Sequence, residues 1–295
     1  MNSVLIVGGD SKVGKYLKYF LKKKNFKVFS TSRRYKKNSN LFLDLKDISN
    51  FKIMDNYNTV IFCAGIFDYQ KINRNYLFSK KINVENTINL IKKFLIKDKF
   101  VCFLSSNLVF QSIKQPNELS KPNSKFAYSY FKILVEKELI KFSKKKKLFN
   151  KICILRMTKN IDHNTRPFDQ WIKTINDKKK IYPFSDMFFS PIRFKDSCMS
   201  IYKIINKKIS GIIHLSGAKD LSYSEFAIAL MNAKKINHKN LLEHTTTKKS
   251  KKKIFYKNKY TKLSMTYSKK KLGMRPVNSK KVIFELSKKI NNENN

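Results

Sequence analysis

A short apolar run, a glycine-bearing turn and an amphipathic helix open this chain. That order constrains the fold more than any other feature. Ser3–Val7 (SVLIV) reads as a buried strand. Residues 8–14 follow as G-G-D-S-K-V-G, and Val13, Leu17, Phe20 and Leu21 then recur at helical spacing. Gly8 permits a tight turn, and Gly14 lets helix and strand approach closely. The helix start then faces an anion with unpaired N–H groups. Ser11 stands where a middle glycine is usual. The strand-turn-helix context favours a dinucleotide-binding turn over an ordinary glycine turn. Gly8, Asp10, Ser11, Lys12, Val13 and Gly14 are its candidate cofactor contacts.

Further strands are expected at 27–30, 40–43, 58–63, 100–104, 151–155 and Gly211–Leu215, with helices at 82–94 and 128–142. Apolar strands alternating with helices indicate a parallel sheet covered on both faces. Right-handed crossovers make it doubly wound, a Rossmann-like α/β fold. After residue 156 the pattern becomes irregular, and 158–190 and 216–275 read as a smaller lobe. The expected division is a cofactor domain at 1–157, its sheet completed near 151–156 and 211–215, and a lobe mainly at 158–290. The tail 291–295 (NNENN) should fray.

The second strand leads into Thr31-Ser32-Arg33-Arg34. A site that prefers NAD usually has an acid here for the ribose 2′-OH. Guanidiniums suit a 2′-phosphate instead, so Ser32, Arg33 and Arg34 point to NADP(H) over NAD(H). Two more surface bases in a basic chain is the bland alternative. Asp44 and Leu45 follow the third strand, where an acid can meet the adenine amino group. Ala64 and Gly65 follow the fourth, where small residues let backbone pass close to a cofactor.

Tyr128 and Lys132 form a Y-x-x-x-K spacing, with Ser105-Ser106 upstream at the end of an apolar run. Residues four apart share a helix face. An ammonium there holds down a phenol's pKa, and the phenol can exchange a proton near neutral pH.

Composition excludes several classes. With 42 % apolar residues the chain should be globular. The 64 Lys and Arg against 20 Asp and Glu give a net charge of +44. Nucleic-acid or anionic-membrane binding is the sharp reading. A lysine-rich composition spread along the whole chain is favoured, because no nucleic-acid module is visible. Cys63, Cys102, Cys153 and Cys198 form no C-x-x-C pair and read as free thiols in a reducing compartment. No apolar stretch reaches the length of a membrane span, and the N-terminus enters a strand directly, so a cytoplasmic protein is expected. His163, His214, His238 and His244 form no metal spacing, and His214 lies in an apolar run that suits a core residue.

The motifs G-G-D-S-K-V-G, C-A-G at 63–65, I-N-V at 82–84, S-S-N-L-V-F at 105–110 and Y-S-Y-F-K at 128–132 resemble the extended short-chain dehydrogenase/reductases. I-L-R at 154–156, S-P-I-R-F-K-D at 190–196 and I-H-L-S-G at 213–217 extend the resemblance to the dTDP-4-dehydrorhamnose reductase group and its sugar-nucleotide epimerase relatives. The resemblance implies an NADPH-dependent reductase of a nucleotide-activated 4-keto sugar, with an epimerase or dehydratase on the same scaffold as the alternative. It implies a catalytic triad of Ser106, Tyr128 and Lys132, with Tyr128 as acid, Ser106 orienting the substrate oxygen and Lys132 also holding the nicotinamide ribose. Ser105 is the neighbouring candidate hydroxyl. Asn83 matches a helix asparagine of the family near the cofactor. Asn107, where rhamnose-type reductases carry an acid, and Arg193 become candidate substrate contacts. Arg156 and Glu118 are weaker ones. The 158–290 lobe would bind the nucleotide sugar. A homodimer is frequent among such relatives, and no metal requirement carries over.

Overall fold

The computed structural model describes residues 2–34, 41–250 and 253–290. Its large sheet comprises β1 (Ser3–Val7), β2 (Lys27–Ser32), β3 (Leu41–Phe42), β4 (Thr59–Phe62), β5 (Phe100–Ser106), β6 (Ile152–Met157) and β7 (Gly211–Leu215). All pairs are parallel, in the spatial order β7-β6-β5-β4-β1-β2-β3. The chain winds outward from β1 to β3, then returns to β4 and winds the other way. The crossovers therefore diverge between β1 and β4, which opens a crevice at the carboxyl ends of those two strands.

Burial on both faces explains why the strands read as continuous apolar runs. Val4 and Ile6 join one apolar cluster, while Leu5 and Val7 join the other on the opposite face. Helix α1 (Lys12–Lys22) covers the first face with Leu17 and Leu21. The helix Ala127–Lys145 covers the second with Phe131, Val135 and Leu139. The first cluster continues into the second half of the chain through Phe168, Trp171, Phe226 and Leu286. Two small sheets there pair Lys159–Ile161 with Pro191–Arg193 and Phe188–Phe189 with Leu221–Ser222. Among the described residues no helix is long and apolar enough to cross a membrane.

The doubly wound parallel sheet agrees with the sequence reading, and the differences are local. β2 and β5 each run two residues beyond the expected end, so Ser105 and Ser106 belong to the strand. The helix expected at 82–94 is the centre of a longer stretch. It runs from Tyr76–Lys80 through a π-helical turn, Lys81–Asn86, into Thr87–Ile96. Thr87 Oγ1 donates to the Ile82 carbonyl at 2.9 Å, a hydroxyl bond that fits the widened turn. The second half is more helical than its irregular pattern suggests, with Phe168–Asn176, Phe194–Asn206, Tyr223–Asn232, Thr266–Leu272 and Ser279–Ser287. Asn40 of the expected third strand, Lys251-Lys252 and the tail 291–295 lie outside the described residues.

Candidate active site

The turn after β1 is built by crowding. Gly8 has φ +83°, and a Cβ there would stand 2.8 Å from Ala64 Cα, in the backbone that follows β4. A Cβ on Gly14 would stand 2.4 Å from the Gly8 carbonyl oxygen. These positions need the absence of a side chain. Ser11 is the N-cap of α1, its Oγ accepting from Gly14 N at 3.0 Å. The serine that departs from the glycine pattern thus satisfies one of the helix's free donors. Gly8 N donates to Thr31 Oγ1 at 3.0 Å and Gly9 N to the Thr31 carbonyl at 2.9 Å, which fixes the turn to the end of β2.

Between these strand ends lies a cleft of about 570 Å³. Gly8, Asp10, Ser11, Ser32, Arg33, Arg34, Asp44, Leu45, Ala64 and Gly65 line it, so the cofactor candidates from four separate segments meet in one place. Ser32 Oγ donates to Asp10 at 3.2 Å and accepts from Arg34 N at 3.0 Å, while the Arg33 and Arg34 side chains are exposed. Lys12, Val13 and Gly14 do not line the cleft. Val13 packs on the core, and Lys12 reaches away to Asp162 at 2.5 Å and Thr165 at 2.8 Å. Tyr16 donates to the same carboxylate at 2.9 Å.

Asn83 and Asn86 hold the cleft's far wall. Asn83 accepts from Ile66 N at 2.7 Å and donates to the Ile66 carbonyl at 2.8 Å. Asn86 donates to the Leu45 carbonyl at 2.7 Å. Both sit in the π-helical turn, and together they clamp the loops after β3 and β4. Asn86 was not among the sequence candidates, since an asparagine three residues from another is no signal without the turn that aims both.

A narrow cavity adjoins the cleft and shares Ala64, Gly65, Ile66 and Phe67 with it. Asn83, Tyr128 and Lys132 line this cavity. The Tyr128 ring packs against Tyr69 (5.5 Å between centroids), Phe67 (6.2 Å) and Phe126 (6.4 Å). Burial among these rings pushes the Tyr128 phenol well above its ordinary pKa, helped by Tyr69, so it is protonated at neutral pH; this reverses the lowering expected from Lys132 one helical turn away, because dehydration dominates. Lys132 Nζ donates to the Leu104 carbonyl at 2.8 Å and lies over the Phe103 ring at 4.5 Å. Burial lowers Lys132 to about 8, against the opposing influence of Glu136 and Cys63.

Ser106 closes β5 two residues after Leu104. Its Oγ accepts from Leu108 N at 3.1 Å and faces Asn107 Oδ1 at 3.5 Å. Ser105 is committed elsewhere, donating to Glu136. Asn107 donates to the Thr261 carbonyl at 2.9 Å, which ties this strand end to the second half of the chain.

Three charged candidates are drawn off into the fold. Arg193 is paired with Asp196 (2.7 Å) and Glu285 (2.7 Å), so its cationic fork is already met by two carboxylates. Arg156 is 2 % exposed and bonded to Glu136 at 2.6 Å. Glu118 lies 3.8 Å from the fully buried His214, whose pKa burial lowers to about 3.

Comparison with known proteins agrees with this architecture. The RmlD substrate binding domain family matches residues 1–291. A dTDP-4-dehydrorhamnose reductase from Clostridium acetobutylicum superposes with a TM-score of 0.79 at 21 % identity, over 96 % of this chain and 98 % of that one. The enzyme of the same name from Bacillus anthracis, solved in complex with NADP, gives 0.78 at 18 % identity, over 97 % and 98 %. The Yersinia enterocolitica enzyme gives 0.82 at 17 %, over 99 % and 100 %. A sequence search of curated proteins finds no match.

Proposed function

The chain belongs to the RmlD substrate binding domain family, and from that premise we propose that it is an oxidoreductase: an NADPH-dependent reductase of a nucleotide-activated 4-keto sugar. The observation that carries this reading is that the 570 Å³ cleft and the narrow Tyr128–Lys132 cavity share a wall formed by Ala64, Gly65, Ile66 and Phe67. A dinucleotide fits the cleft's chemistry. Its phosphates meet the Gly8–Ser11 turn, where any side chain on Gly8 would strike Ala64. Arg33 and Arg34 stand at the end suited to a 2′-phosphate. The cofactor would supply the hydride.

The chain's own residues handle the proton and the oxygen. Tyr128 gives its phenolic proton to the ketone oxygen as the carbonyl π pair moves onto that oxygen. The phenolate left behind is stabilised by the Lys132 ammonium, and a solvent proton restores the phenol. Ser106 donates a hydrogen bond to the same oxygen and orients it. Residues 1–157 form the cofactor-binding part and 158–290 mainly the part that holds the nucleotide sugar. The test is anaerobic incubation with NADPH and dTDP-4-keto-6-deoxy sugars. Stoichiometric NADPH loss with formation of the 4-hydroxy sugar is expected. Conversion without net NADPH loss would indicate an epimerase or dehydratase instead, and inactivity across a broad 4-keto-sugar panel would overturn the assignment.

A further inference from the structure

Tyr128, Lys132 and Glu136 follow one another at four-residue steps on the helix Ala127–Lys145, so they share one broad face. Successive helical turns grip successive residues of β5. Lys132 Nζ donates to the Leu104 carbonyl at 2.8 Å, and Glu136 accepts from Ser105 Oγ. Ser106 is the next residue. Resting on the proposed reductase chemistry, we propose that Glu136 is a positioning residue: its carboxylate locks the end of β5, and with it Ser106, against the helix that carries Tyr128 and Lys132.

Arg156 completes the lock from the other side. It is the cross-strand partner of Ser105 on β6. Its Nε lies 3.2 and 3.1 Å from the two Glu136 carboxylate oxygens, and its Nη2 lies 2.6 Å from Oε2. Both residues are 2 % exposed. A buried ion pair is weak evidence for stability, since dehydrating two charges offsets their attraction. Here Arg156 Nη1 has no hydrogen-bond partner, and neither has Nε2 of His214, its cross-strand neighbour on β7. A cluster that leaves a buried guanidinium N–H and a buried imidazole nitrogen unpaired is a poor stabiliser, and a role in geometry accounts for it better.

The charges around Lys132 give the lock a measurable signature. From its own helix Lys132 is faced by Tyr128 and Glu136, from the segment after β4 by Cys63, and by the Phe67 and Phe103 rings. Glu136 is faced by Ser105, Arg156 and Lys132, with His214 and Glu118 beyond Arg156. Glu136 is the first influence that keeps Lys132 protonated against the effect of burial.

Glu136→Gln strands Arg156 and is a risk to folding, so the decisive variant is Glu136→Gln/Arg156→Met, which removes both charges together. In the wild type, kcat/KM for NADPH oxidation should fall about twofold from pH 6 to pH 8, given Lys132 at about 8. In the folded double variant the same ratio should be larger, and a displacement of about one pH unit would bring it to about tenfold. Glu136→Asp, which retains the charge, should keep the wild-type ratio with a lower kcat. A folded double variant with unchanged kcat and an unchanged ratio would overturn the proposal. Side-chain ¹⁵N-lysine titration of the ligand-free protein, with Lys132→Arg for assignment, reads the Lys132 ammonium without any turnover. If the wild type proves inactive on 4-keto sugars, a lower Lys132 titration in the double variant would still support the coupling, and an unmoved one would refute it.

Discussion

Replacing Gly8 by alanine tests the crowding that shapes the phosphate turn, and the protein contains its own control. Gly8 has φ +83°, and Gly273, which ends the helix Thr266–Leu272, has φ +63°. An alanine at either site incurs a left-handed backbone cost of roughly 1–2 kcal/mol. The two then diverge. At Gly273 the nearest atom to the new Cβ is the flexible Lys203 Nζ at 3.9 Å, an ordinary contact. At Gly8 the Cβ meets Ala64 Cα at 2.8 Å and Ala64 N at 2.9 Å, and neither backbone atom can move without shifting the end of β4. Overpacking of that kind adds about 1–3 kcal/mol. Gly8→Ala should therefore lose about 2–5 kcal/mol of stability in urea unfolding, and Gly273→Ala about 1–2 kcal/mol. NADPH titration by nucleotide fluorescence should show weaker binding in Gly8→Ala and wild-type binding in Gly273→Ala. Equal stability losses in the two variants, or unaltered NADPH binding in Gly8→Ala, would refute the argument that this glycine exists to let the turn, Ala64 and a cofactor share one space.

Three further outcomes are expected. The pH profile of kcat/KM should be flat in the acid range and fall as pH rises through about 8. Burial has lowered the Lys132 pKa to that value, so the ammonium is present below it and lost above it; Lys132→Arg should abolish that limb. Tyr128→Phe should lower kcat by about 10²–10⁴-fold, the range for losing a positioned proton donor, while NADPH binding measured by fluorescence stays within a few-fold. Arg33→Ser/Arg34→Ser should raise the KM for NADPH about tenfold to a hundredfold, equivalent to about 1.5–3 kcal/mol of charge-assisted hydrogen bonding, and leave the KM for NADH unchanged. A parallel loss for both nucleotides would remove the 2′-phosphate from the explanation.

The first half of the fold was legible because its physics is written locally. Parallel strands buried on both faces must be apolar runs, and β1, β4 and β5 are buried throughout or nearly so. The second half hides its helices behind small polar residues. The helix Phe194–Asn206 buries Cys198, Ile201, Ile204 and Ile205, but Ser197 and Ser200 are equally buried and break the apolar period. The cofactor candidates that line the cleft do so because each lies at or just after a strand end, and strand ends in such a sheet converge by topology. Side-chain pairing is different. Nothing local in the sequence says that Arg156 meets Glu136, or that Arg193 meets Asp196 and Glu285, since those partners are set by tertiary packing. The same blindness applies to Lys12, a candidate by its place in the turn, whose ammonium the fold carries 150 positions along the chain to Asp162.

The net charge of +44 invites an electrostatic account of function, and the distribution of the acids argues against one. In a chain with 64 Lys and Arg and 20 Asp and Glu, chance encounters between a carboxylate and a cation are frequent, so a surface ion pair carries little meaning. Lys92 and Glu138 are such a pair, 25 % and 40 % exposed, whereas Arg156 and Glu136 are both excluded from water. The cleft wall departs from the bulk composition. Asp10, Asp44 and Asp68 stand there with Arg33, Arg34, Lys46 and Lys71, close to balance in a chain with more than three bases per acid. Exposed lysines elsewhere are screened beyond about 8 Å at physiological ionic strength. The excess charge is therefore not concentrated on the cleft. On the proposed function, discrimination between nucleotides would fall to the two guanidiniums after β2, and the charge that would matter to the proton step is the single ammonium of Lys132, dehydrated by its aromatic neighbours.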